Sequence, residues 1–207
     1  DVLHCHDWQA ALPIIFMKTI YKDDPVFKKI KTIFTIHNLA YQGLFPFDKL
    51  SSLGIGLENF TIDTLEFYNK INLLKGGIVF SDFITTVSPT YAKEIETPEF
   101  GCGLEGVLQK RAKDVYGIIN GIDYDVWNPA TDKALFKTYD AKSCKSGKAA
   151  NKFGLQKETK LKQNADVPMI GLISRLADQK GADLVASIIE EILDMGAQFI
   201  LLGTGEN

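Results

Sequence analysis

The sequence has few of the features that direct a protein to an oxidising, membrane or nucleic-acid environment. Its three cysteines, Cys5, Cys102 and Cys144, are odd in number and lack the spacing of a zinc site, which indicates free thiols in a reducing compartment. No apolar run approaches the roughly 20 residues that span a bilayer. The net charge of -3 provides no broad basic surface, so nucleic-acid binding is not expected and any anion site must be local.

The two ends of the sequence also lack the features of natural termini. Residues 1–8 read as the end of a buried strand that runs into a helix, with no initiator Met, signal peptide or polar tail. Residues 198–207 read as a strand and the start of the loop that follows it. We therefore expect an internal piece of a longer protein, in which each domain is incomplete.

Segments with strand character alternate with helical segments along most of the chain. Strands are predicted at 32–36, 83–87, 115–119, 168–174 and 198–202, from β-branched, aromatic and apolar runs. Helices are predicted at 7–20, 88–95, 104–113, 142–153 and 181–195, and residues 48–80 are expected to be mostly helical with a break around Gly54 and Gly56. This alternation predicts an α/β fold with parallel sheets covered on both faces.

Local signals set several of these boundaries. Asp7 is placed to cap the first helix through its carboxylate, and Pro13 requires that helix either to start near Ala10 or to bend. Ser88 and Pro89 form a helix start, with a Ser cap and Pro at the first helical position. Gly154 is expected to stop the basic helix that precedes it.

A weak pattern from about residue 121 to 165 separates two α/β arrays, which indicates a domain junction. We therefore assign residues 1–121 to the back part of one α/β domain. Residues 122–207 comprise a linker and the front part of a second domain.

The polar residues of interest share one placement, just after the carboxyl end of a predicted strand. These groups are His6-Asp7, His37-Asn38, Asn120-Gly121, Arg175 to Lys180 and Gly203 to Gly205. In a doubly wound parallel sheet such ends point to one edge, where ligands bind. If two such domains face each other, all five groups line one cleft.

The turn from Arg175 to Lys180 is the most informative of these groups. It lies between a strand's carboxyl end and a helix's amino end, where unpaired N–H groups and the helix dipole favour anions. The turn is therefore either a clamp for phosphate groups or a solvated loop with two surface cations.

The other groups have structural alternatives as well. His4 and His6 share one face of a strand, which fits a metal less well than buried, hydrogen-bonded histidines because no further ligand cluster is present. Asp7 could be only a helix cap, and Trp8 only a core residue. Asn120-Gly121 could be only a tight turn. Gly203-x-Gly205 lacks the full dinucleotide fingerprint.

Ordered motifs along nearly the whole chain resemble the bacterial glycogen synthases and the related plant starch synthases. They are His-Asp-Trp-Gln-Ala-Ala-Leu-Pro at 6–13, Phe-Thr-Ile-His-Asn-Leu-Ala-Tyr-Gln-Gly at 34–43, Asn-Leu-Leu-Lys-Gly-Gly-Ile-Val-Phe-Ser-Asp at 72–82, Thr-Val-Ser-Pro-Thr-Tyr-Ala at 86–92, Gly-Val-Leu at 106–108, Ile-Asn-Gly-Ile-Asp at 119–123 with Trp-Asn-Pro at 127–129, and Ser-Arg-Leu-x-x-Gln-Lys-Gly at 174–181. The family's Lys-x-Gly-Gly-Leu loop and its Glu-x7-Glu segment are missing, as expected if they lie outside an internal fragment.

The resemblance implies two facing Rossmann-like domains, the GT-B architecture, with the active site between them. Residues 1–121 would then be the C-terminal part of the acceptor-side, starch synthase catalytic domain, and 122–207 a linker and the first part of the nucleotide-sugar-binding domain. The resemblance implies catalytic roles for His37, Arg175 and Lys180, and substrate contacts at the positions Asp7, Trp8, Asn38, Asn120, Gly203 and Gly205. It implies neither metal nor cofactor.

The implied activity is a retaining transfer of glucose from ADP-glucose to the non-reducing end of an α-1,4-glucan such as glycogen. A related glycosyltransferase with another nucleotide-sugar donor, or a glucan-binding fragment without turnover, remains open. The resemblance implies a cytoplasmic bacterial protein, or a plastid protein if the source is a plant, with no membrane or nucleic-acid partner. Donor base specificity, oligomeric state, regulation and the activity of the fragment alone are not given by the sequence.

Overall fold

The computed structural model describes residues 1–205, apart from the side chain of Asp178. The chain forms two compact units, Asp1–Gly121 and Ile122–Asn207. The two units therefore divide at the position where the sequence pattern weakens. The assignment of these units to the acceptor-side and nucleotide-sugar-binding domains of a longer enzyme stays a prediction. None of the described helices has the length and hydropathy that crossing a membrane requires.

The strands and helices alternate along both units. The strands are β1 (Val2–His6), β2 (Lys31–Ile36), β3 (Leu44–Pro46), β4 (Glu66–Phe67), β5 (Lys70–Asn72), β6 (Phe83–Thr86), β7 (Val115–Gly117), β8 (Met169–Ile173) and β9 (Gln198–Leu202). The α-helices are α1 (Ala11–Lys18), α2 (Leu73–Phe80), α3 (Pro89–Glu94), α4 (Glu105–Lys110), α5 (Cys144–Glu158) and α6 (Ala182–Asp194). Short 3-10 turns connect several of these elements.

A four-stranded parallel sheet in the order β1-β2-β6-β7 forms the centre of the first unit. Its central strands are β-branched and apolar, and Phe34, Ile36 and Ile84 are completely buried. Strands buried on both faces in this way are typical of α/β proteins, so the predicted fold class is confirmed. All parallel strands end at one edge, which gathers the residues that follow them.

Two glycines allow helix α2 to lie close to this sheet. A Cβ atom on Gly77 would lie 2.4 Å from Cζ of Phe34, and one on Gly76 would lie 2.5 Å from Cδ2 of Leu65. Both contacts are too short for a side chain, so only glycine permits this spacing. At the helix end, the Arg111 guanidinium donates hydrogen bonds to the carbonyls of Ile78 and Ser81, which satisfies acceptors that the helix leaves unpaired.

The prediction that residues 48–80 are mostly helical is wrong. Only α2 is an α-helix there, and the preceding chain consists of three 3-10 turns and an antiparallel β3-β5-β4 sheet. Gly54, at a φ of 68°, ends one turn, and the hairpin reverses at Tyr68-Asn69, where both residues have positive φ. Leu65 and Ile71 are both completely buried, so the segment's apolar residues pack from short elements rather than from one helical face.

Two local predictions in the helices are also wrong. The Asp7 carboxylate makes no cap hydrogen bond to the 3-10 turn at Trp8–Ala10. Helix α5 continues through Gly154 to Glu158, and Gly154 serves close packing instead of ending the helix: a Cβ there would lie 2.3 Å from Cγ of Phe136. By contrast, the Ser88 cap of α3 is confirmed, since its Oγ accepts hydrogen bonds from the N–H groups of Thr90 and Tyr91.

The second unit contains α5, the parallel pair β8-β9 and helix α6. Strands β8 and β9 pair in register from Met169↔Gln198 to Ile173↔Leu202. The predicted strands at 168–174 and 198–202 and the predicted helix at 181–195 are confirmed within about a residue.

We predict that Gly77→Ala destabilises the protein by about 1–3 kcal/mol, because the added methyl group overpacks the core against Phe34. Gly106→Ala is the matched control, since Gly106 also lies in a helix but a Cβ there meets nothing within 4 Å. That substitution should be neutral or stabilise by about 0.5–1 kcal/mol, as it does at unstrained helical glycines. Urea unfolding of the three proteins measures both effects. Equal stability of Gly77→Ala and the parent would contradict the close packing.

Candidate functional site

Three histidines meet at the carboxyl edge of the sheet in the first unit. His4 and His6 alternate onto one face of β1, and His37 follows the end of β2. The Nδ1 atom of His6 lies 3.0 Å from Nε2 of His37, so one ring donates an N–H to the other. The rings of His4 and His6 stack with centroids 4.3 Å apart. The predicted hydrogen bonding of the histidines is thus confirmed, whereas their predicted burial is wrong, because His4 and His6 are both exposed at the sheet edge.

Asp7 fixes the backbone between these histidines. Its N–H donates to the carbonyl of Thr35, and its Oδ1 accepts a hydrogen bond of 2.8 Å from the N–H of His37. Asp7 adopts a φ of 55°, which is uncommon for a residue with a side chain and occurs where the surrounding contacts enforce it. The carboxylate that fails to cap the first helix therefore holds the backbone of His37 in place.

The histidine cluster resists protonation at His6. Burial lowers the pKa of His6, and the neighbouring His4 and His37 rings lower it further, while the Asp7 carboxylate opposes them. His6 is consequently neutral at a pH where a solvated histidine would begin to charge. A neutral ring can both donate and accept, as its hydrogen bond to His37 allows.

A cavity of about 230 Å³ opens beside this cluster. His4, His6 and His37 line one side, and Asn120-Gly121, after the end of β7, line the other. Asn120 is exposed in this position. Three of the predicted site positions, Asp7, His37 and Asn120, therefore belong to one edge of one sheet.

Trp8 and Asn38 shape the loop that follows His37. The indole of Trp8 lies against Gly43, where a Cβ would be 2.5 Å from its Cδ2, and its ring meets Phe45 edge-on at 5.7 Å. Trp8 is only half-buried, so it packs on this loop and retains some exposed surface. The side-chain oxygen of Asn38 accepts a hydrogen bond from the N–H of Ala40, a local turn.

Buried polar residues that the sequence identified only as motif members anchor the same loop. The amide of Asn72 donates to Oε1 of Gln42 at 2.7 Å, and the amide of Gln42 donates to the carbonyl of Cys102 at 3.0 Å. The Asn72 side chain also caps α2 by accepting from the N–H of Lys75. In the sequence, Gln42 and Asn72 are polar residues within otherwise apolar stretches. Hydrophobic periodicity alone does not predict which partners such residues bond to.

In the second unit, the loops after β8 and β9 run side by side. The N–H of Ser174 donates to the carbonyl of Leu202, and the N–H of Leu176 donates to that of Thr204. A Cβ on Gly203 would lie only 2.1 Å from the carbonyl oxygen of Ser174, so this position requires glycine. Gly205 lies opposite Leu176 in a further bridge.

Arg175 and Lys180 occupy the first of these loops and are both exposed. Lys180 ends a 3-10 turn, and Gly181, at a φ of 67°, is the N-cap of the 13-residue helix α6. The loop thus presents two cations beside a helix amino terminus, which is a suitable environment for phosphate groups. The predicted placement after a strand and before a helix is confirmed, whereas a cleft shared with the first unit stays a prediction.

Three histidines do not amount to a metal centre in this structure. Among the described residues, no group of three or more His, Cys, Asp or Glu side chains has an arrangement that could hold a metal ion. The sheet edge of the first unit presents hydrogen-bonding imidazoles, a carboxylate and amides, and the loops of the second unit present two cations.

Comparison with known proteins relates the chain to enzymes of glucan synthesis. A family model described as the starch synthase catalytic domain matches residues 1–110. "Glycogen synthase 2" of Geobacter sulfurreducens is 52% identical over 205 residues, 99% of this chain and 42% of that protein. A glycogen synthase of Pseudothermotoga lettingae is 52% identical over 206 residues, 100% of this chain and 42% of its own length.

A solved structure is similar along the whole chain. The catalytic domain of Starch Synthase IV from Arabidopsis thaliana, bound to ADP and acarbose, matches with a TM-score of 0.89 and 39% identity. It is covered over 43% of its length, against 100% of this chain. The chain therefore spans less than half the length of the curated relatives and of the solved structure that it matches.

The lowered pKa of His6 predicts that stability falls on acidification. Below about pH 6.5 the unfolded state takes up a proton on His6 more readily than the folded state, so lowering the pH through this range favours unfolding. His6→Asn removes this contribution and should flatten the decline between pH 7.5 and pH 5, measured as urea midpoints across roughly that range. An identical decline in both proteins would contradict the role assigned to the cluster.

Proposed function

The chain belongs to the starch synthase catalytic domain family, and from that premise we propose that its parent protein is a retaining glucosyltransferase. In this proposal it moves glucose from ADP-glucose to the non-reducing end of an α-1,4-glucan, as in glycogen synthesis. The observation that carries the proposal is the Arg175–Lys180 loop at the amino end of α6. The named glycogen synthases at 52% identity and the starch synthase structure bound to ADP support the same chemistry.

The donor side of the proposed site stabilises the leaving group. Breaking the bond from glucose to the diphosphate leaves negative charge on the phosphate oxygens, and fixed cations aimed at that charge lower the barrier. Arg175 can grip two oxygens at once through its planar guanidinium, while Lys180 acts as a compact point charge. Gly203 lets the neighbouring loop lie close to this one, because it has no Cβ to separate it from Ser174, and Gly203 and Gly205 contact the substrate in this proposal.

The acceptor side of the proposed site supports the positive charge that develops on the sugar. His37 contributes through its backbone carbonyl and its ring near the 6-hydroxyl, and the Asp7 carboxylate holds that backbone through its bond to the His37 N–H. Asn120 and Asp7 supply further polar contacts to glucose. Trp8 and Asn38 face the glucan acceptor in this proposal.

The stereochemical course is retention through a front-face route, in which the departing phosphate assists the incoming hydroxyl. We assign no side chain as a covalent nucleophile, and the proposal includes neither a metal nor another cofactor because the two cations supply the positive charge. The partners are ADP-glucose and the glucan. We propose a cytoplasmic site of action for a bacterial parent, or a plastid for a plant one.

We predict that Arg175→Ala and Lys180→Ala in the full-length protein each lower kcat for transfer at least about 100-fold, the effect of removing one charge-stabilising group. Lys142→Ala, which removes another exposed cation outside the loop, is the matched control and should retain full activity. The assay measures incorporation of labelled glucose from ADP-glucose into glycogen.

The same assay separates the remaining alternatives. A panel with UDP-glucose and other nucleotide sugars tests the donor, because a faster reaction with another base would replace ADP-glucose in the proposal. Glycogen binding without any transfer by the full-length protein would indicate a glucan-binding protein instead. Unchanged activity of Arg175→Ala would remove the proposed clamp.

A further inference from the structure

A second cavity of the first unit lies apart from the histidine cluster. It has a volume of about 620 Å³ and lies between the β4-β5 hairpin and helix α4. Its lining shares no residue with the cavity beside His37 and Asn120. This volume falls within the range of roughly 300–1,000 Å³ that small-molecule sites occupy.

A tyrosine at the tip of the hairpin lines this cavity in a costly conformation. Tyr68 and Asn69 form the two-residue turn between Phe67 and Lys70, with φ values of 48° and 62°. Asn tolerates such a φ well and Gly adopts it freely, whereas a bulky tyrosine pays a conformational cost there. Tyrosine is a poor residue for stabilising such a turn, so the turn alone does not account for the ring at this position.

The tyrosine ring forms an exposed aromatic surface at the cavity. Tyr68 is 78% exposed, although the ring of Phe67 meets it edge-on at 4.7 Å and supports it from behind. Gly103, at a φ of 81°, lies beneath the pair, with its Cβ position 3.0 Å from Phe67. The ring is thus supported on one side by Phe67 while most of its surface remains open to solvent.

The charged groups around the ring balance one another. Lys110 pairs with Asp63 at 3.3 Å, and the buried ammonium of Lys75 donates to the carbonyls of Ile62 and Glu66. The Glu66 carboxylate accepts a hydrogen bond from the N–H of Asn69. Two carboxylates and two ammonium groups give no net charge, so the cavity does not favour an ionic ligand.

We propose that this cavity binds a segment of α-glucan away from the reacting end of the chain. A flat aromatic ring offers a stacking surface for the C–H face of a sugar. Asp63, Asn69 and Lys110 provide donors and acceptors for its hydroxyl groups. A neutral, polyhydroxylated ligand matches this combination better than a phosphate or an apolar molecule. The inference rests on the proposed function for its choice of sugar.

The decisive variant is Tyr68→Gly in the full-length protein. Glycine relieves the positive φ, so the unfolding midpoint in urea should stay the same or rise, while the aromatic surface is lost. Tyr68→Gly should therefore remove one class of maltoheptaose site in calorimetric titration, or weaken it at least tenfold. Tyr124→Ala, which truncates a tyrosine that is 74% exposed elsewhere, is the matched control and should bind as the parent does.

A second variant, at the same position, measures binding at this cavity directly by fluorescence. Tyr68→Trp keeps an aromatic surface, and the fluorescence that it adds over the parent protein should change when maltoheptaose is titrated in. Unchanged fluorescence, or unchanged maltoheptaose binding by Tyr68→Gly, would overturn the site. The labelled-glucose assay on the parent protein tests the proposed function separately, because binding at Tyr68 is measured without donor. If Tyr68→Gly lost maltoheptaose binding and also had a lowered urea midpoint, the proposal would be overturned as well, since Tyr68 would then have a structural role.

Discussion

The hydrogen bond between the Asp7 carboxylate and the backbone N–H of His37 is the interaction on which the site in the first unit depends. It joins the chain leaving β1 to the chain leaving β2, directly beyond the last paired residues of the two strands. Asp7 makes it from a left-handed backbone conformation, so the local geometry is maintained against a conformational cost. The placement of His37, and with it the ring contact to His6, follows from this bond.

In both units, a glycine allows close packing behind the loops at the sheet edge. Gly43 lets the Trp8 indole lie flat on the loop after His37, and Gly203 lets the loop after β9 approach the carbonyl of Ser174. A methyl group at either position would separate surfaces that are now in contact. Polar ligands are best bound by backbone and side-chain groups that cannot relax away, so close packing behind the loops favours the binding proposed for them.

The sequence predicts the parallel sheet and the placement of the site because both depend on local patterns. Apolar β-branched runs mark β2 and β6, and polar residues after strand ends mark the edge. It does not predict the β4-β5 hairpin, because its strands are only two and three residues long and its turn, Tyr68-Asn69, lacks the glycine that usually marks such a turn. The hydrogen bond from the His37 N–H to the Asp7 carboxylate could not be predicted either. A carboxylate just after a strand can cap the following helix or accept a bond from a distant residue, and the sequence is the same in both cases.

Lys75 links the candidate site at the sheet edge to the cavity at Tyr68. Its ammonium is buried and bonded to carbonyls of the segment 62–66, and burial lowers the pKa of Lys75, although the Glu66 and Asp63 carboxylates oppose that change. Its backbone N–H, one turn into α2, is capped by Asn72, whose amide holds Gln42 in the loop after His37. The start of α2 therefore secures the hairpin on one side and the histidine loop on the other. Two surfaces with different lining residues thus share one structural support, so a change at the start of α2 should affect both of them.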